Sequence, residues 1–347
     1  MIYHLVSVII LNYNGLRNLG NILKECIESV LNTDYPNFEV LFVDNASTDG
    51  SVDFIKKKFG WDARLKIIQN ERNFGFAEGN NIGMKKAKGE YIVLLNNDTK
   101  VDSQWLKELV KALQAPEIGA AQSKILQLQN PNLLDCAGGF IDYIGLSYSR
   151  GYGEKAEKYQ KITEIFYAKG AALIIKRKVL KRIGCLDPIM FLYYEEADLC
   201  WRVWLNGYKV IFVPTSIVYH AQGATTSKLF EHSRVYFLTR NRIITLIKNY
   251  DLKSLLKNLP SLILLDIRNA LVLILRRKWC TSFSIFEAII WNITHLKYIW
   301  KKRSIVQNII RRVSDDRIHE IMIKPYPPFP HSLILSKSCW LRKKKPK

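Results

Sequence analysis

No Cys-x-x-Cys pair occurs in the sequence; Cys26, Cys136, Cys185, Cys200, Cys280 and Cys339 are scattered. That spacing argues against a zinc site and against a disulfide framework, and it suits a reducing compartment. Neither Gly-x-Gly-x-x-Gly after the first apolar run nor Gly-x-x-x-x-Gly-Lys-Ser/Thr is present, so a dinucleotide fingerprint and a Walker-type phosphate loop are both missing. A nucleotide would have to be held another way. The opening MIYHLVSVIILNYNG lacks a basic n-region and a small-residue cleavage site, and reads as a buried strand rather than a signal peptide. Acids are scarce late in the chain. Residues 231–347 hold 24 Lys and Arg against 7 Asp and Glu, which places +17 of the net +21 there.

What is present is a globular composition, 48% hydrophobic over 347 residues, enough for one large or two modest domains. A basic half suits nucleic acid or an anionic membrane, where each Lys or Arg near the surface is worth about 1 kcal/mol. The apolar content favours the membrane. Segments 255–278 and 282–303 are apolar with charged ends and approach spanning length. The first carries Lys257, Pro260, Asp266 and Arg268, and the second Glu287 and His295, so both are expected to lie in the headgroup region. RRK at 276–278, KKR at 301–303 and RKKKPK at 342–347 suit that surface.

From residue 5 to about 120, the β-rich runs LVSVIIL, FEVLFVD, LKIIQN and YIVLLNND alternate with helix-like stretches around 17–31, 51–59 and 77–88. Apolar strands with helical crossovers predict a parallel α/β sheet. Ligands of such sheets sit at the carboxyl ends of the strands. Here the runs end in Asn12-Tyr13-Asn14-Gly15, Asp44 to Ser51, Asn70 to Gly75, and Asn96-Asn97-Asp98. Turn chemistry accounts for any one of these; four in register predict a cleft. Residues 165–184 read as strand, turn, strand and basic helix, and GYKVIFVP as a later strand ended by its proline. Segment 132–165 carries no clear pattern.

FLYYEEADLCWRVW, residues 191–204, sets Glu195, Glu196 and Asp198 among aromatic and aliphatic neighbours. A helix from 195 to about 206 puts these acids in its first turn, where the dipole favours each by about 0.3–1 kcal/mol, and Asp198 can pair with Arg202 at i,i+4. Neither effect explains two consecutive glutamates behind Phe191-Leu192-Tyr193-Tyr194, whose rings would wall a pocket. A buried carboxylate must be matched by a metal, a cation or a task. Asp98 could hold a divalent ion, because an ion on a diphosphate needs only one or two protein oxygens; His220 could add a nitrogen.

Seven segments, VSVIILNYNG, VDNASTDGS, NFGFAEGNN, LLNND, KGAALIIKRKVLKRIGCLD, FLYYEEADLCWR and HAQGATTS, give residues 5–230 a specific likeness. In these the chain resembles the inverting glycosyltransferases of family two, in the branch that includes rhamnosyltransferases and other glycan-assembly enzymes. The resemblance implies an α/β, GT-A type nucleotide-diphospho-sugar transferase fold, a Rossmann-like mixed sheet flanked by helices. It places a catalytic domain at 1–228, with a nucleotide half to about 122 and an acceptor half from about 123; the composition adds a basic, apolar helical region at 229–347, expected to associate with a membrane. It assigns Asp44 to the imide N–H of the base, Asn12 and Asn14 to the nucleoside, and Asn73 and Asn80 to the nucleotide side. Asn96 and Asn97 fall near the ribose, and Asp98 and His220 on Mg²⁺ or Mn²⁺ at the donor diphosphate. Gly170 and Ala171 fall where donor sugar and acceptor meet, with Glu196 as general base and Glu195 beside it. Two departures stand out. Asn96 occupies the place of the first Asp of a DxD, so the metal leans on Asp98 and His220; Glu196 occupies a place where Asp is more usual, which shifts the acceptor.

The implied activity is metal-dependent, inverting transfer from a nucleotide-diphosphate sugar to a hydroxyl of a glycan or lipid-linked acceptor. It is expected at the cytoplasmic face of the cell membrane, with an anionic surface and not nucleic acid as partner of the basic half. A polyprenyl-phosphate glycosyltransferase would share the nucleotide half, but the Glu-Glu pair favours a hydroxyl acceptor. A catalytically decayed basic module is the other alternative. A sugar-phosphate nucleotidyltransferase would need a Gly-rich loop, of which NYNGLRN is a poor version.

Overall fold

The computed structural model describes residues 3–221 and 230–324; positions 222–227 of the HAQGATTS segment and the tail at 342–347 lie outside them. The four apolar runs become parallel strands: β1 (Val6–Asn12) lies between β2 (Phe38–Asp44) and β4 (Tyr91–Asn96), with β3 (Leu65–Gln69) beyond β2. Their crossovers are α1 (Gly15–Leu19) with α2 (Asn21–Leu31), then α3 (Ser51–Phe59), then α4 (Gly75–Lys86). The helix expected over 17–31 is broken at Gly20, whose φ of 57° a helix interior does not admit.

Past β4 the sheet becomes mixed. β5 (Thr99–Val101), α5 (Trp105–Ala112), β6 (Ile118–Gln127) and β7 (Asn130–Cys136) follow, and β8 (Gly139–Ile141) with β9 (Ser147–Ser149) makes a separate hairpin. β10 (Thr163–Glu164) pairs with β12 (Lys209–His220), while β11 (Ala172–Lys176) runs antiparallel between β4 and β6. The strand order is β10-β12-β6-β11-β4-β1-β2-β3. The unpatterned segment 132–165 thus supplies short strands at one side of the sheet.

Two expectations are corrected. The strand expected from Ile165 is cut short: Ile165 donates to Val210 and Tyr167 exchanges bonds with Gly139, but the Ala168 amide turns to Cys200 Sγ at 3.4 Å instead of extending a ladder, and the Lys169 and Gly170 amides of the expected turn donate to the Gln122 and Glu196 side chains, at 2.7 and 3.0 Å. β12 does not stop at Pro214 either. Its register against β6 shifts between Val213 and Ile217, a bulge that absorbs the missing N–H, and the strand continues to His220.

One face of the sheet is covered by α2, α3 and α5 through Leu23, Ile27, Ile55, Trp105 and Leu109. On the other face α4, α6 (Arg177–Ile183) and α7 (Glu195–Leu205) meet α8 (Glu231–Asn249), followed by α9 (Leu252–Leu275), α10 (Trp279–Thr294), α11 (Leu296–Ile305) and α12 (Asp315–Ile321). This second core takes in Ile243 and Leu246 of α8 and Tyr250 just past its end. Trp201 stands edge-on to Phe166 and Tyr250, with ring centroids 5.4 and 4.8 Å apart, contacts worth about 0.5–1.5 kcal/mol each beyond burial. Asp198 pairs with Arg202 at 2.9 Å, as the i,i+4 spacing predicts, and also takes Lys248 at 3.1 Å and Asn249 at 2.9 Å. Three partners explain how a fully buried Asp198 stays charged, with its pKa held down.

Candidate active site

The carboxyl ends of β1, β2 and β4 are laced by side chains. Asn12 donates to Asp44 at 2.8 Å and accepts from Asn97 at 2.8 Å. Asp44 also takes the Ser47 amide and hydroxyl, at 2.8 and 2.5 Å. With about four acceptor positions on a carboxylate, one remains for a further donor. Asn14, in left-handed backbone with φ 51°, accepts from the Thr48 amide at 2.8 Å and so ties the first loop to the second.

Two predicted residues are engaged locally. Asn73 accepts the Gly75 amide at 2.9 Å and the Asn45 amide group at 3.2 Å, which shapes the entry to α4. Asn80 donates to Phe76 one turn earlier at 2.9 Å, spending its Nδ2 on its own helix.

Beyond β4 the chain builds an acid–histidine pair. The β5–β12 pairing sets His220 opposite Thr99, next to Asp98. His220 Nε2 lies 3.1 Å from Asp98 Oδ1 and 3.5 Å from Asn96 Nδ2, while Nδ1 lies 2.6 Å from Asp135 Oδ2. Burial opposes a charge on this ring, but Asp98 and Asp135 override it and raise the His220 pKa to about 9. Asp98 Oδ1 is buried and its near neighbour is His220 Nε2, so the carboxylate either pairs with a protonated ring or, with the ring neutral, shares a cation with it. Two adjacent ligands on an octahedral ion with bonds of about 2.1 Å are about 3 Å apart, and the Asp98–His220 separation of 3.1 Å fits. The donor set therefore suits a divalent ion held by Asp98 and His220. Among the described residues no three His, Cys, Asp or Glu side chains form a metal cluster alone, so other ligands would have to complete it.

Asp135 is the residue that sequence reasoning missed. It sits at the end of β7, in the unpatterned segment, and holds His220 by its second nitrogen, as a carboxylate commonly orients a metal-binding histidine. Lys169 was missed as well; its Nζ lies 3.3 Å from Asp135, and burial of the ammonium is outweighed by that carboxylate, so its pKa is raised. The signal was the Lys before Gly170 in KGAALIIK.

Lys169 leads into the next subsite. The Gly170 amide donates to Glu196 Oε1 at 3.0 Å, and the Ala171 carbonyl accepts from the Asn96 amide at 3.3 Å. A Cβ on Gly170 would come within 2.9 Å of Oε1 and 2.8 Å of Phe76 Cζ, so only glycine lets the carboxylate rest on this amide. Glu196 is half-buried and Glu195 fully buried. Burial raises the Glu196 pKa, against the Gly170 amide and the Lys169 charge. Glu195 is raised further by burial and by Glu196, and its Oε2 has no hydrogen-bond partner; a neutral acid beside a titrating base is the consistent reading.

The loop in front of the glutamates is left-handed at Phe191, Tyr193 and Tyr194, with φ of 56°, 70° and 70°, at a cost of about 1–3 kcal/mol per residue. Its rings do not all wall a pocket as expected. Tyr194 turns into the core, where its hydroxyl donates to Gly145 at 2.8 Å, and Phe191 stacks on Phe237 of α8 with centroids 5.5 Å apart.

A mixed sheet with this polar cradle, acid–histidine pair and poised glutamate has the GT-A fold of a glycosyltransferase. The glycosyl transferase family 2 model matches residues 7–184, which is 178 of 347, and the chain belongs to that family. It is 28% identical over 233 residues to the O-antigen biosynthesis protein RfbC of Myxococcus xanthus, covering 63% of this chain and 17% of that protein. Another curated relative, from Sinorhizobium fredii, is matched over 25% of its length, so the chain spans a quarter or less of these proteins. The fold is similar to GalNAc-T7, solved with UDP, GalNAc and Mn²⁺, at TM-score 0.56 and 20% identity, over 72% of this chain and 49% of that one. It is also similar to the mannosyltransferase PcManGT of Pyrobaculum calidifontis, solved with GDP-Man and Mn²⁺, at TM-score 0.52 and 19% identity, over 83% and 86%.

Proposed function

We propose that the protein is an inverting, metal-dependent glycosyltransferase of the rhamnosyltransferase-like branch, moving a hexose or deoxyhexose from a nucleotide-diphosphate sugar to a hydroxyl of a glycan or lipid-linked acceptor. Residues 1–228 form the catalytic domain, with the nucleotide half reaching about residue 122, and 229–347 form the membrane region. The observation that carries this reading is Glu196, half-buried with a raised pKa and held on the Gly170 amide at 3.0 Å, between Lys169, whose ammonium meets Asp135, and Ala171, whose carbonyl meets the Asn96 amide.

The free acceptor position on Asp44 serves the base, with Asn12, Asn14, Asn73 and Asn80 shaping the nucleoside side and Asn96 and Asn97 the ribose side. Asp98 and His220 hold Mg²⁺ or Mn²⁺, whose role when bound is to neutralise the leaving diphosphate, worth several kcal/mol. The acceptor hydroxyl lies against Glu196. As the hydroxyl oxygen bonds to the anomeric carbon from the far face, the bond from that carbon to the diphosphate oxygen breaks, its electron pair leaves on the diphosphate, and the hydroxyl proton passes to Glu196. Glu195, kept neutral, adds no second charge next to the base, and Ala171 sets where the donor sugar meets the acceptor.

The test is Glu196→Gln, which keeps the shape and cannot take the proton. With the donor found by screening nucleotide sugars, turnover is expected to fall about 10²- to 10⁴-fold, with binding of the matching nucleoside diphosphate and Mn²⁺ unchanged. Near-normal turnover would remove the assignment.

The same reading places the enzyme at the cytoplasmic face of the cell membrane, on an anionic surface and not on nucleic acid. The polarity of α9 and α10 supports it, being inside out. Buried Asp266 is paired with Arg242, and buried Ser282 and Asn292 donate to Ala270 and Arg240 at 2.9 and 3.2 Å, whereas Leu264, Leu275, Phe283 and Ile293 are more than 60% exposed. That is the arrangement of helices solvated by lipid. By length and composition α9 alone among the described helices could cross a membrane. Exposed Arg268 in α9 and Glu287 in α10 favour helices lying on the surface.

A further inference from the structure

The glutamates follow directly on the left-handed residues Phe191, Tyr193 and Tyr194. Such backbone persists only where its surroundings over-determine it, so the groups that hold it are informative. They come from α8, far along the chain. Asn241 Nδ2 donates to the carbonyls of Met190, Leu192 and Tyr193 at 2.8, 2.9 and 2.7 Å. An amide group has two N–H bonds, so one of them is shared. Arg240 Nη2 donates to the carbonyls of Ile189 and Met190 at 2.7 and 3.1 Å, and its Nε donates to Asn241 Oδ1 at 2.9 Å. That last bond decides which way the amide faces. The remaining carbonyl, of Phe191, accepts from the Phe76 amide of α4 at 2.6 Å.

Asn241 is fully buried, and the hydrogen bonds of the two side chains go to the loop and to each other rather than to Glu195 or Glu196. Apart from the bond between them and the rings around Arg240, what they bind is loop backbone, and the loop ends at Tyr194, the residue before α7. A change in its dihedrals therefore swings the first turn of α7. Arg240 is in turn packed on the Trp291 ring at 4.9 Å, and its carbonyl accepts from Asn292, so α10 braces the brace.

We propose that Asn241, oriented by Arg240, is a positioning residue for the general base: it holds the left-handed 190–194 loop so that Glu196 meets the acceptor. This rests on the assignment of Glu196 above. Misplacement of a reacting group by about 1 Å can cost about 10²-fold, so Asn241→Ala in the full chain is expected to lower kcat about that much, leaving donor KM and affinity for UDP, GDP or dTDP with Mn²⁺ unchanged. The acid limb of the pH–rate profile should also move, as the loop relaxes and Glu196 gains water. The discriminating measurement is the cycle with Glu196→Gln. If Asn241 acts through the base, adding Asn241→Ala to Glu196→Gln costs nothing more. A multiplicative loss in the double variant, or normal kcat in soluble Asn241→Ala, overturns the proposal. If Asn241→Ala does not fold, Arg240→Lys, which keeps the charge on Trp291 and removes the bond that orients the amide, must reproduce the kcat loss or the proposal falls. An active Glu196→Gln instead overturns the base assignment itself, and is read separately.

Discussion

Glu196 Oε1 rests 3.0 Å from the Gly170 amide, at a spot where a single methyl group on residue 170 would sit 2.9 Å from the same oxygen. Gly170→Ala should therefore push the carboxylate off its donor without touching the nucleotide cradle. We expect at least a 10-fold fall in kcat, on the order of the cost of a misplaced group, with nucleotide affinity retained; equal loss of both would mean that the substitution disturbs the whole sheet end.

The pH dependence follows from the direction of the Glu196 shift. Burial raises its pKa above the ordinary glutamate range, and the base works only deprotonated. Transfer should fall on the acid side through a midpoint above that of an ordinary glutamate, and Glu196→Gln should abolish that limb. Glu195 is raised further, so the stability its protonated form contributes is present below the ordinary glutamate range and is lost as pH rises through the raised value. Glu195→Gln, which fixes the neutral state, should retain far more activity than Glu196→Gln and should melt at least as high near neutral pH.

Asp135→Asn removes the carboxylate 2.6 Å from His220 Nδ1. Loss of such an orienting partner typically weakens metal binding about 10- to 100-fold. Mn²⁺ titration followed by electron paramagnetic resonance, with a bound nucleoside diphosphate, should show that weakening; Asp98→Asn should be more severe. Unchanged Mn²⁺ affinity in Asp135→Asn would leave Asp135 with only a structural role.

Gly75 has φ of 75°, and a Cβ there would overlap the Phe191 ring. Gly75→Ala combines a left-handed penalty with overpacking at the contact between α4 and the 190–194 loop, at an expected cost of about 2–4 kcal/mol. Denaturant unfolding should show the loss, and a stability equal to the unaltered protein would contradict the close packing.

Leu264 and Ile290 are exposed on α9 and α10 at 68% and 58%, so glutamates there should leave the melting temperature in place. If these helices lie in a bilayer surface, Leu264→Glu with Ile290→Glu should abolish flotation with phosphatidylserine-containing vesicles. Salt should weaken the unaltered protein's binding, since each basic residue contributes about 1 kcal/mol of screened attraction. Retained flotation of the double variant would move docking elsewhere.

Much of the site was legible because its pieces are local. Asn12, Asp44, Asn97 and Asp98 follow apolar runs directly, and Glu195 and Glu196 open a helix, so each could be placed on an element without knowing what lay opposite. Asp135 was not legible: β7 pairs with β6 through two register shifts, and no periodicity announces so irregular a strand. The strand expected from Ile165 shrinks for a related reason: Tyr167 bridges Gly139 alone and the Ala168 amide goes to Cys200 Sγ, pairings that no local pattern announces. One charge that set α9 apart from a plain apolar span, Asp266, is buried against Arg242, a partner 24 positions away that the segment alone does not reveal.

By itself the sequence determined the parallel strands, the polar residues at their ends and the basic, apolar character of the last third, because hydrophobic periodicity and charge act over a few residues. Only the tertiary structure decided which of those residues meet. His220 and Asp135 lie 85 positions apart, and Asn241 and Met190 lie 51 apart; such contacts are set by strand order and helix packing, which no local pattern encodes.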